Sequence, residues 1–174
     1  MKKISSVTAL CAVILILLSS CGGGKHLKRF NLSYPLDIHA YIKFDGRDYE
    51  ADIIVSQEND IKLLFSAPDS LKNTVLEMKN GQCFLTVMGV TLPITDGGYS
   101  SENGLLLIRH VFALSHKNYT DASVIKSAGV KYCVENYSTK AGKISAYFVS
   151  NKAMPDKISA TLHGHEVEIV IVNE

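Results

Sequence analysis

The chain has little net charge: 18 lysines and arginines stand against 17 acidic residues. No strong positive field is present to attract nucleic acid, and no nucleic-acid partner is expected. GxSxG, HExxH and a glycine-rich phosphate loop are all missing, so the common hydrolase, metalloprotease and nucleotide-binding signatures are absent. The four cysteines form no CxxC or zinc-type spacing. No apolar run reaches the roughly 20 residues that a permanent membrane helix requires. Tryptophan is missing and proline occurs only four times, yet 47% of the residues are hydrophobic, enough to build a real core.

One apolar run is present at the start. Lys2 and Lys3 precede a mostly apolar stretch of about 15 residues, Ile4 to Leu18. Its length and flanks are those of a signal-peptide core. It ends in Leu18-Ser19-Ser20-Cys21-Gly22-Gly23-Gly24. Leu18-Ser19-Ser20-Cys21 resembles the lipobox of bacterial lipoproteins. The resemblance implies diacylglyceryl transfer to the Cys21 thiol and cleavage before it. Small Ser19 and Ser20 suit a narrow protease site, cysteine supplies the soft sulfur nucleophile, and the glycines leave a loose tether. Acyl chains, at about 0.8 kcal/mol per buried CH₂, would then hold the protein on a membrane. The expected organisation is a signal peptide over 1–20, a lipidated tether over 21–35 and one β domain over 36–174. Loss of Lys2 and Lys3 leaves 16 basic against 17 acidic residues, a net of −1. Lys25, His26, Lys28 and Arg29 could meet anionic headgroups, although a solvated linker cluster is the preferred reading.

From Leu36 the pattern alternates with period two, as in half-buried strands. Asp45-Gly46 predicts a two-residue hairpin turn. With Phe44 opposite Arg47, the apolar face pairs Ile42 with Tyr49, Ala40 with Ala51 and Ile38 with Ile53. The other face pairs Lys43 with Asp48 and His39 with Asp52, base against acid. DIKLLFSAP reads as a third strand. TVLEMK and QCFLTVMGVTLPI flank Asn80-Gly81, with Met78 opposite Cys83 and Leu76 opposite Leu85. Cys83 therefore reads as a small buried hydrophobe. SENGLLLIRHVFALSHK breaks the alternation and predicts a mostly buried helix with a cap at Ser101 or Asn103. VKYCVENYS, KISAYFVS, DKISATL and HEVEIVIVN return to strands, the last two paired around His163-Gly164. The sum is a mainly β (α+β) fold, a meander of about nine or ten antiparallel strands with one central helix.

Residues 63–71 (LLFSAPDSL), the helix around Gly104–His116 and the closing text KAGKISAYFVSNKAMPDKISATLHGHEVEIVIVNE resemble the bacterial lipoprotein carrier superfamily, the LolA/LolB-like proteins. The likeness lies in pattern and order over roughly residues 36–174. It implies a strongly curved antiparallel sheet, an incomplete barrel, with a helix covering the open side. An unclosed sheet leaves a concave apolar face that must be covered by helix, by ligand or by both. The expected lining is Ile38, Ala40, Ile42, Tyr49, Ile53, Phe65, Leu76, Met78, Leu85, Ile108 and Phe112. The same residue types also make a filled core. The resemblance implies a non-enzymatic envelope lipoprotein that binds a lipid or a lipidated client, on the extracytoplasmic side of a membrane. Its alternative is a membrane-tethered interaction module that stabilises or positions an envelope protein partner, for instance in sporulation or germination.

Other candidate chemistry is thinner. His163, His165 and Glu166 offer metal-ligand types, but Gly164 between them favours a polar turn. His39 and Asp52 form an acid–base pair already accounted for by hairpin register. His110 and His116 sit on the expected helix without an acid or cysteine at useful spacing. No catalytic residue, metal or cofactor is expected. Cys133 lies between Tyr132 and Val134; if those face inward, Cys133 faces outward, where a thiol could form an intermolecular disulfide.

Overall fold

The computed structural model describes residues 32–57, 60–94, 104–149 and 154–172, the side chain of His116 excepted. The signal segment, Cys21, most of the tether and the cap expected at Ser101 or Asn103 lie outside the described residues. Among the described residues, eleven strands make one antiparallel sheet. They are β1 (Leu36–Phe44), β2 (Arg47–Gln57), β3 (Asp60–Ala67), β4 (Val75–Lys79), β5 (Gln82–Val87), β6 (Val90–Pro93), β7 (Tyr119–Ser127), β8 (Val130–Ser138), β9 (Gly142–Val149), β10 (Lys157–Leu162) and β11 (His165–Val172). Their spatial order is β6-β5-β4-β3-β2-β1-β11-β10-β9-β8-β7. β6 and β7 form the two ends and do not pair, so the curved sheet stays unclosed.

Eleven strands exceed the nine or ten expected, for two local reasons. Met88 and Gly89 adopt positive φ and fold QCFLTVMGVTLPI into the β5–β6 hairpin. β7, rich in polar residues with no clear alternation, pairs with β8 across a turn at Ala128-Gly129.

The expected registers hold elsewhere. Ile42 faces Tyr49, Ile38 faces Ile53 and His39 faces Asp52. Met78 faces Cys83 and Leu76 faces Leu85. Ala160 faces Val167 and Ile158 faces Ile169. Asp45 and Gly46 both take the positive φ that their turn demands.

The expected long helix is shorter. Leu105–Ile108 form a 3-10 turn that runs into α1, Arg109–Phe112. Gly104, at φ 78, blocks extension toward the N-terminus. Beyond α1 the Ser115 N–H and hydroxyl both donate to Asn118 Oδ1, at 3.0 and 2.9 Å. That local bonding starts a separate 3-10 turn at His116–Asn118 and competes with further helix.

Strand β8 also departs from expectation. Cys133, Glu135 and Tyr137 point to the concave side, while Val134 is buried apart from the core cluster. Cys133 is half-buried against that core, as a free thiol, rather than facing out. The reason is Glu135, which is fully enclosed and accepts a 2.6 Å hydrogen bond from the Tyr137 hydroxyl. A partnered buried carboxylate reverses the face that apolar alternation alone would choose.

Candidate ligand-binding face

The concave face is a continuous apolar surface built from the inward rows of ten strands. Ile42, Ile53, Phe65, Leu76 and Met78 are buried in it, with Ala40. Ile38, Tyr49 and Leu85 are half-buried and pack against it. Ile108 and Phe112 reach it from the 3-10 turn and α1. The structure thus brings every residue of the expected lining into one cluster. Leu106, Leu107 and Val111, which belong to the apolar face of the expected helix but not to the expected lining, are enclosed in the same cluster. Each buried aliphatic or aromatic side chain there contributes roughly 1.5–3 kcal/mol. Leu32 and Tyr34 pack on the same cluster, and the Tyr34 hydroxyl donates to the Phe112 carbonyl. The docked chain therefore begins ahead of β1.

Among the described residues, one open space adjoins the end of this face. A depression of about 340 Å³ is lined by Phe44, Asp45, Arg47, Tyr49, Gly104 and Leu105. It sits between the β1–β2 turn and the start of the 3-10 turn. Phe44, Tyr49 and Leu105 belong to or pack against the core cluster, so its floor is continuous with the concave face. Tyr49 also meets Phe65, with ring centroids 6.1 Å apart. Larger depressions of about 500 and 380 Å³ lie on the opposite face, lined chiefly by Lys43, Lys143, Ser145, Ser159, Glu166 and Glu168 and by Asp121 and Asn136.

Two histidines organise the polar side chains around this frame. The His165 Nδ1–H donates to Asp45 Oδ2 at 2.6 Å, while the Glu166 N–H donates to Asp45 Oδ1 at 2.9 Å. The bond to His165, then that from Glu166, holds the Asp45 carboxyl below its usual range. Phe44 stacks on His165 at 5.3 Å. These contacts clamp the β1–β2 turn to β11 beside the depression. His163, by contrast, faces His110, 6.1 Å between ring centroids. His39 bridges Asp52 at 2.7 Å and Glu50 at 3.1 Å. The Asp52 bond raises the His39 pKa despite partial desolvation. These histidines serve turns and strand pairs, and among the described residues no group of three or more ligand types could hold a metal ion. No helix of the described residues is long and apolar enough to cross a membrane.

The described residues thus form a mainly β, unclosed antiparallel sheet with one short helix over its apolar face. No family model matches the chain, and no curated protein matches it. Solved structures do. Lipoprotein LppX from Mycobacterium tuberculosis is 8% identical, with a TM-score of 0.42 over 78% of this chain and 84% of that one. A LolA superfamily protein from Nitrosomonas europaea is 10% identical, with a TM-score of 0.44 over 79% and 83%. LprF from Mycobacterium bovis is 11% identical, with a TM-score of 0.40 over 79% and 84%.

Proposed function

We propose that this protein is a non-enzymatic envelope lipoprotein, anchored through Cys21 on the extracytoplasmic side, that binds a lipid or lipidated client at the open end of its half-barrel. One observation carries the reading. The depression at Phe44, Tyr49 and Leu105, about 340 Å³, continues the apolar concave face outward. Ligand sites start at roughly 300 Å³, so this space suits part of an acyl chain, with further room only if the short helix shifts. The lipobox resemblance at Leu18–Cys21 supports the anchor.

A second reading has its own support. The middle of the concave face is filled by the protein's own side chains, and the β5–β6 hairpin exposes Val87, Met88, Val90 and Leu92 together, Met88 at 96%. Such a patch is what a membrane-tethered interaction module would present to an envelope partner. Native mass spectrometry of the exported protein separates the two. A co-purifying lipid mass, or one gained on incubation with membrane lipids, supports the carrier. A persistently bare mass defeats it, and crosslinking in cells would then seek a partner at the β5–β6 hairpin.

A further inference from the structure

Arg47 is the one charged residue in the inward row of β2, which continues through Tyr49, Ala51, Ile53 and Val55. Its register partner Phe44 lies on the same apolar side. Arg47 accordingly lines the depression together with Phe44, Tyr49 and Leu105. Asp45 is the acid beside it, but both Asp45 oxygens are taken, one by His165 and one by the Glu166 N–H. Among the described residues no carboxylate forms an ion pair with Arg47. Arg47 is exposed and feels the Coulomb attraction of Asp45, yet it has no ion pair of its own, and a five-donor guanidinium beside a recess floored by Phe44, Tyr49 and Leu105 has a definite complement.

We infer that the open end selects amphiphiles with an anionic headgroup, a carboxylate or a phosphate, seated on Arg47 while one apolar chain enters between Tyr49 and Leu105. This rests on the binding reading above and adds the headgroup class. A guanidinium and a carboxylate or phosphate form charge-assisted, often bidentate hydrogen bonds, whereas an uncharged glycerol headgroup gains only ordinary ones. The recess is too small to take a whole two-chain lipid, so its occupant there is a single chain.

The test uses the full processed protein in phosphatidylcholine vesicles, labelled by an uncharged, diazirine-bearing monoacylglycerol. Palmitate, lysophosphatidate and unlabelled monopalmitoylglycerol then compete. The expected result is labelling of peptides holding Phe44–Tyr49 or Leu105, with at least one anionic competitor effective at about ten-fold lower concentration than the neutral one. Comparison of palmitate with lysophosphatidate tells carboxylate from phosphate. Arg47→Gln should erase the advantage of the anionic competitors over the neutral one, whatever it does to total labelling, and Arg47→Lys should keep most of that advantage. Equal competition by all three in the native protein, or an undiminished preference in Arg47→Gln, overturns the headgroup inference and leaves apolar binding intact. No labelling at all overturns both.

Discussion

The hydroxyl of Tyr137 donates a 2.6 Å hydrogen bond to the carboxylate of Glu135, two residues away on the same strand and wholly out of reach of solvent. Burial first, and the Glu135 carboxylate second, hold the Tyr137 phenol well above its ordinary pKa, so it remains a donor throughout the physiological range. Tyr119 packs edge-on against the Tyr137 ring, at 5.9 Å. Tyr137→Phe takes one donor from an enclosed carboxylate while keeping the ring. It should cost about 1–3 kcal/mol in urea unfolding. A value near zero would show that Glu135 does not depend on this bond.

Gly142 begins β9 with its Cα facing the backbone of β10. A Cβ there would come within 1.9 Å of the Thr161 carbonyl oxygen, and the residue has φ +150. Gly142→Ala must therefore push β9 away from β10 as well as strain its own backbone, a strain of roughly 1–3 kcal/mol alone. The thermal midpoint should fall markedly. Gly164→Ala has open space and only the dihedral penalty, so it should fall less. Equal losses would mean that the contact with Thr161 is not felt.

His39 gives the fold a pH dependence of defined sign. Its pKa is raised in the folded protein by Asp52 first and Glu50 after it. The stabilisation from the charged ring is full below the unfolded value of about 6.5 and is lost as pH rises through the folded value. Denaturation midpoints should therefore decline from pH 6 toward pH 8. Because the pair is partly exposed, the decline is within about 1 kcal/mol. His39→Gln should flatten that slope; an unchanged slope would locate its origin elsewhere.

Phe112 joins the short helix to the sheet and is almost completely buried. Phe112→Ala should cost about 3–5 kcal/mol by equilibrium denaturation. If the half-barrel opens for an acyl chain by displacing this helix, the same variant should bind the uncharged monoacylglycerol at least as well as the native protein. Loss of that binding would instead make Phe112 part of the ligand's own wall.

Period-two text made most of this fold readable. Asp45-Gly46, Asn80-Gly81 and His163-Gly164 fixed three hairpins, and apolar pairing on one face fixed their registers. The misreadings fall where side chains act on the backbone or on one another. Ser115 and Asn118 end the helix through local bonds that hydrophobic periodicity does not register. Glu135 is inside because it has a partner, and a partner is invisible in a strand's own sequence. β7 is an edge strand with little buried surface, so it carries little alternation to read. For the candidate site, the apolar lining was legible as a list, but packed core and recess use the same residues. Arg47 was already on the apolar face by register; the headgroup role inferred for it rests on the open recess beside it, which register does not show.

The pairing of β1 with β11 has a temporal consequence. Partners such as Phe44 and Val167 or His39 and Val172 lie 123 to 133 positions apart, yet they form the middle of the sheet. As the chain emerges from a ribosome or a translocation pore, β1 to β6 can assemble early, with the free margin of β1 left uncovered. β7 to β10 follow as a second unit with a free margin of their own. Only the arrival of β11 welds the two together. Such long-range closure is slow and leaves sticky margins exposed while it waits. Nascent chains stalled before residue 165 should consequently be the species that escorting chaperones hold, and release should coincide with the appearance of β11.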